Sequence, residues 1–105
     1  MRDGDAKVET YTHLSIVRRA ADQVSSGMAG EAIVLNMKSG LYFRMEQVAA
    51  TIWKLLERPC SVGEIREAIM SEYGVDAHTC EKDLRLFLDH LQSAGLIEID
   101  SGAGV

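Results

Sequence analysis

The run Gly30 to Met45, GEAIVLNMKSGLYFRM, constrains the fold most. Ile33, Leu35 and Met37 alternate with Val34, Asn36 and Lys38. That is the period-two pattern of a strand with one wetter face. Leu41, Phe43 and Met45 then alternate with Tyr42 and Arg44. Lys38-Ser39-Gly40 makes a tight turn between the two strands, with Gly40 supplying the positive φ that a short hairpin loop needs. The helices downstream are expected to pack against this hairpin.

A chain of 105 residues is one domain. It can bury roughly two-thirds of its unfolded surface. Its balance of 47% hydrophobic and 26% charged residues is that of an ordinary soluble protein. No apolar run approaches the ~20 residues of a membrane span. The N-terminus MRDGDAKVET is polar and is not a signal peptide. A cytoplasmic location and no membrane partner follow. Cys60 and Cys80 are then two reduced thiols that serve in packing.

Charge is uneven. Residues 1–45 carry six basic and five acidic groups, whereas residues 46–98 carry five and ten. The helical half is the acidic half, which argues against nucleic acid as a partner.

Residues 1–12 show no sustained periodicity and read as a loose arm. Leu14 to Val17 is a short apolar patch that, with Arg18 to Val24, reads as a first strand. Ser25 to Gly30 reads as a turn before the hairpin. Helix one is expected from about Gln47 to Glu57, with Val48, Ile52, Leu55 and Leu56 as its apolar stripe. Pro59 ends it. Ser61-Val62-Gly63-Glu64 is a capping box. Helix two follows to about Glu72, burying Val62, Ile65 and Ile69, and Gly74 is its left-handed C-cap. Asp76 caps helix three, which runs to about Ala94 with Leu84, Phe87, Leu88 and Leu91 as its core stripe. Gly95 ends it, and Leu96 to Ile99 forms a last short strand. The expected fold is α+β and winged-helix-like, an N-terminal antiparallel three-stranded sheet followed by three helices. Its limits are 13–99, between the arm and a Gly/Ser tail over 100–105.

Signatures of chemistry are sparse. His13, His78 and His90 are scattered, and Cys60 and Cys80 stand twenty positions apart, so zinc spacing is missing. No Gly-x-Ser-x-Gly, phosphate loop or Cys-His-Asp signature is present. No metal or cofactor is expected, and the reading is not an enzyme. The winged-helix shape raises DNA binding as the alternative. In that reading helix three would be the recognition helix. Its exposed charges Glu81, Lys82, Asp83, Arg85 and Asp89 sum to −1, where a DNA reader needs Lys and Arg.

Thr79, Lys82, Asp83, Leu86 and His90 lie beside the core stripe of helix three, with Leu86 apolar among charges. Next to an unpaired strand Leu41 to Met45 they would wall a shallow groove. An extended peptide adding there would draw affinity from backbone bonds and specificity from alternate side chains. Arg44 would act as a gatekeeper against aggregation at that edge. The competing reading has the edge covered by the N-terminal arm or by a second copy of the chain, a homodimer.

An ordered set of runs carries a resemblance. These are Gly30-Glu31-Ala32-Ile33-Val34-Leu35-Asn36, Ser39-Gly40-Leu41-Tyr42-Phe43, Ala50-Thr51-Ile52-Trp53-Lys54-Leu55-Leu56, Ser61-Val62-Gly63-Glu64-Ile65, Asp83-Leu84-Arg85-Leu86-Phe87-Leu88 and Gly95-Leu96-Ile97. Over about residues 14–99 the chain resembles the PqqD family, small peptide chaperones also called RiPP recognition elements. Strict pyrroloquinoline-quinone chaperones have a Pro-Glu-Gly turn where this chain has Lys38-Ser39-Gly40. The chain looks more like the stand-alone recognition proteins of lasso peptide clusters. Many relatives have Leu-Asn where Met45-Glu46 stands here.

The resemblance implies a non-catalytic module that binds the leader of a ribosomally made precursor peptide. It presents that leader to a modifying enzyme, in lasso systems a separate transglutaminase-like leader peptidase acting before a ring-closing cyclase. It also implies that the leader adds antiparallel to the third strand, against the third helix. The strand positions are Leu41, Tyr42, Phe43, Arg44 and Met45. The helix positions are Lys82, Asp83, Leu86, Phe87 and His90. Tyr42 and Arg44 would supply backbone pairing. Phe43, Leu86 and Phe87 would form an apolar floor, and Lys82, Asp83 and Arg44 would select by charge. Phe87 reads equally as core, and Tyr42 as a residue packed on the strand face.

Overall fold

The computed structural model describes residues 12–100. Of the arm read over 1–12 and the tail read over 100–105, residues 1–11 and 101–105 lie outside the described residues, and Asp100 belongs to the last strand rather than to a tail. Among the described residues six strands and three helices follow in order. They are β1 (Ile16–Arg19), β2 (Gln23–Met28), β3 (Glu31–Asn36), β4 (Leu41–Glu46), α1 (Val48–Leu55), β5 (Cys60–Ser61), α2 (Val62–Tyr73), α3 (Ala77–Ser93) and β6 (Ile97–Asp100). The strands form two antiparallel three-stranded sheets, in the orders β2-β3-β4 and β5-β1-β6. This is the α+β, winged-helix-like arrangement of sheet and three helices. No described helix is long and apolar enough to cross a membrane.

The single first strand expected over residues 14–24 is instead two strands in different sheets. β1 pairs with β6 through Ile16–Asp100 to Arg19–Ile97. The chain then turns at Ala20 to Asp22, and β2 pairs with β3 from Gln23–Asn36 to Met28–Glu31. The turn expected over Ser25 to Gly30 shrinks to Ala29-Gly30, with Gly30 at φ 76°. Ser25, Ser26 and Gly27 are turn formers by type. Pairing with β3 overrides that weak local preference.

The inner face of β3 also departs from the expected alternation. Ala32, Val34 and Asn36 are buried, while Ile33 is 44% exposed. A buried Asn36 is stable because its polar atoms are all answered. Its Nδ2 donates to Ala94 O at 2.8 Å, and its Oδ1 accepts from Lys38 N–H at 2.9 Å and Ser39 N–H at 3.2 Å. One side chain thus shapes the β3–β4 turn and ties it to the end of α3.

The helices start and stop where their capping chemistry dictates. Ser61 Oγ accepts from Glu64 N–H at 3.1 Å, and Glu64 accepts from Ser61 N–H at 2.8 Å. Gly74 closes α2 in the left-handed region. Asp76 caps α3 by accepting from Thr79 N–H at 2.8 Å. At the far end Leu96 N–H reaches Leu91 O and Gly95 N–H reaches Gln92 O, both at 3.0 Å. That pair of bonds with Gly95 at φ 76° is a Schellman motif. α1 has no side-chain cap and follows Gln47, a non-glycine residue at φ 55°. α1 ends at Leu55, two residues short of the expected limit. One core joins Val17, Val34, Ile52, Trp53, Ile65, Leu88 and Leu96 between the sheets and the helices.

Candidate functional site

β4 is an outer strand of its sheet, paired among the described residues to β3 alone. The bond pattern shows which of its groups are free. Gln47 N–H donates to Gly30 O at 3.1 Å, in the register that pairs Glu31 with Glu46. Antiparallel pairs alternate between bonded and non-bonded. Phe43 and Met45 therefore bond inward to β3, while the Leu41 N–H donates to Ser39 Oγ at 3.2 Å. Tyr42 and Arg44 turn their N–H and C=O groups to the open side.

Side chains alternate too. Tyr42 is 71% exposed on the outer face. Arg44, on the same face, bridges Glu31 at 3.2 Å and Glu46 at 3.1 Å. Its charge is thus held along the rim. Phe43 is half-buried and packs against the core from the helical side. Met45, expected among the peptide contacts, is only 4% exposed. Its side chain is core, so it offers a partner no surface. Leu41, at the turn end, is 57% exposed.

On α3, Lys82, Asp83 and His90 are exposed, and Leu86 is 61% exposed. Phe87 is half-buried and touches the core. Leu86 on a solvated helix face is the apolar exception the sequence singles out. Just beyond the end of β4 a pocket of about 300 Å³ opens, bounded by Val48, Ala49, Tyr73, Val75, Asp83 and Phe87. The structure thus brings Asp83 and Phe87 together with α1. Lys82, Leu86 and His90 lie outside this pocket. Sequence reasoning missed Val48, Tyr73 and Val75. Val75, an apolar residue caught between the Gly74 and Asp76 caps, was the available signal.

Electrostatics do not favour a nucleophile or a DNA reader here. Burial pushes the Cys80 thiol up, and burial with Glu64 pushes up that of Cys60. Neither is activated as a thiolate. Among the described residues no group of three metal-ligating side chains converges. On α3, Arg85 is drawn to Glu81, whose carboxylate also takes Arg66 of α2 at 2.9 Å. Of the two basic side chains Lys82 and Arg85 on α3, Arg85 is thus engaged within the protein, and Lys82 stands among Glu81, Asp83 and Asp89.

The architecture defines a class: a winged-helix-like α+β module with an open sheet edge beside a helix and an apolar pocket at the edge's end. The chain belongs to the PqqD family, matching over residues 31–97 the family described as coenzyme PQQ synthesis protein D. It is similar to TbiB1, solved in complex with the TbiA(beta) leader peptide. The two are 38% identical with a TM-score of 0.74, over 77% of this chain and 94% of that one. It also shares its fold with a lasso peptide synthetase B1 complexed with the leader peptide, at 23% identity and a TM-score of 0.67, over 78% of this chain and 96% of that one. No curated protein matches the chain.

Proposed function

We propose that this chain is a non-catalytic leader-peptide recognition protein of lasso peptide biosynthesis, working in the cytoplasm. The leader of a precursor peptide adds as a strand to β4, in the groove against α3. The complex then delivers it to a leader peptidase or another modifying enzyme. The observation that carries this reading is the open backbone of Tyr42 and Arg44 beside an apolar pocket. A relative 38% identical and bound to a leader supports it.

The magnitudes assign roles. Tyr42 and Arg44 together offer up to four backbone bonds, each contributing ~0.5–1.5 kcal/mol. Ordering a flexible peptide costs ~2–5 kcal/mol. The two nearly cancel, so net affinity comes from apolar anchors at ~1.5–3 kcal/mol each. The pocket at Val48, Val75 and Phe87 receives one such anchor. Leu86 forms the exposed wall beside it.

The test titrates a labelled synthetic TbiA(beta) leader, the peptide bound by the 38% identical relative, into wild-type protein and Leu86→Asp. A charge against the peptide's apolar anchor is expected to weaken binding at least tenfold with an unchanged circular dichroism spectrum. An unchanged titration would remove α3 from the site.

A further inference from the structure

α1 stands between two cavities. Val48, Ala49 and Ile52 line the pocket at the end of β4, whereas Ala50, Thr51, Trp53 and Lys54 line a cleft on the other flank. Thr51 thus lies with the cleft, and Tyr73, the last residue of α2, lies with the pocket. A hydrogen bond joins their side chains, with Thr51 Oγ1 and Tyr73 Oη 2.7 Å apart. The bond draws the Tyr73 hydroxyl out of the pocket toward the cleft side of α1.

This bond matters more for position than for stability. It is exposed, so water can replace either partner and its net contribution to folding is small. Its Thr51 end is firmly placed. Thr51 N–H donates to Gln47 O at 2.9 Å, and Gln47 N–H donates to Gly30 O at 3.1 Å. Gln47 holds φ 55° and ψ −120°, a conformation that a residue with a Cβ keeps only where its surroundings fix it. The Thr51 hydroxyl is therefore a post anchored to the sheet. Tyr73 has the opposite character. It is 37% exposed, and α2 stops behind it at Gly74. Beside its ring lies the open pocket of about 300 Å³, with Ile52, Ile69 and Leu84 among its buried lining. An untethered ring gains burial by turning into such a space.

We propose that Thr51 is a positioning residue for leader recognition: it tethers the Tyr73 ring as a fixed wall of the pocket and keeps that ring from filling it. The leader's apolar anchor then meets a vacant, preformed pocket and pays nothing to expel a side chain of the protein. This inference rests on the leader-recognition reading of the β4 site. Thr51 touches no peptide in this scheme and acts only through Tyr73. When the tether is cut, the ring competes with the anchor, and apparent affinity falls in proportion to the fraction of molecules whose pocket is vacant.

The experiment uses the full chain with the TbiA(beta) leader as probe, affinity read by fluorescence anisotropy and the free protein read by methyl NMR. Thr51→Val keeps the branched shape and removes the hydroxyl, and Thr51→Ser keeps the hydroxyl. Thr51→Val is expected to weaken binding at least about fivefold, equivalent to a ring in the pocket about four-fifths of the time. Its melting temperature is expected to stay within a few degrees of wild type, and Thr51→Ser to restore affinity to within about twofold. In free Thr51→Val the Val48 and Val75 methyl resonances are expected to move upfield under the ring current of Tyr73. Added to Tyr73→Ala, Thr51→Val is expected to change neither those resonances nor the affinity, because the two residues act as one unit. Unchanged affinity in Thr51→Val overturns the proposal. So do unmoved methyl resonances, or an equal loss when Tyr73 is already alanine. A wild-type chain that ignores the leader would contradict the β4 reading, and the methyl resonances, which need no peptide, would still decide where the Tyr73 ring sits.

Discussion

Asn36 and Gly95 show how much one contact decides. A Cβ on Gly95 would lie 2.9 Å from Asn36 Nδ2, at a φ of 76° that L-residues avoid. Gly95→Ala therefore strains the backbone and displaces the Asn36 bond to Ala94. It is expected to lower stability by about 2–3 kcal/mol in urea unfolding, from the left-handed penalty together with the lost bond. Glu81 gives a pH test. Hydrogen bonds from Arg66 and Arg85 hold its carboxyl below the usual glutamate range. Its stabilisation is present above the unfolded value of about 4.3 and is lost as pH falls through the lower folded value. Urea midpoints are expected to fall between about pH 5 and about pH 3, and Glu81→Gln to flatten that slope. Residues of this kind are unevenly legible. Ser61, Glu64, Gly74 and Asp76 act through chemistry within three or four positions of themselves, so sequence reveals them. Asn36 reads as a wet-face residue because its decisive partner, Ala94, lies 58 positions away.

β4 is the element on which the proposed recognition depends, and proline tests it. Arg44→Pro removes an N–H that points away from β3, so the hairpin bonds survive. The lost ion pairs to Glu31 and Glu46 are exposed and contribute little. Leader affinity is expected to fall at least tenfold with the melting temperature within a few degrees of wild type. Normal affinity with an intact fold would put the peptide elsewhere. The β3–β4 hairpin is legible because its alternation and its Gly40 turn agree. β2 is not, because its Ser-Ser-Gly core prefers turns and becomes a strand only when β3 is beside it. Leu86 and Phe87 on α3 are legible by helical spacing. The pocket is not, because Val48, Tyr73 and Val75 meet only when α1, α2 and the α2–α3 turn have packed. Met45 follows the strand alternation correctly but ends inside the core, a matter of depth that period two does not encode.

The whole molecule is acidic, with a net charge of −5, and the proposed site combines backbone bonds with an apolar pocket. Leader binding is therefore expected to change by no more than about threefold between about 50 and 200 mM salt, whereas a phosphate-backbone binder loses ~10³–10⁵ over that range. Hydrogen exchange on the β4 amides tests the account most directly. In the free monomer Phe43 and Met45 are expected to be protected while Tyr42 and Arg44 exchange freely, and the cognate leader is expected to slow those two. Slow exchange at Tyr42 and Arg44 in a lone monomer, unmoved when leader is added, would contradict it.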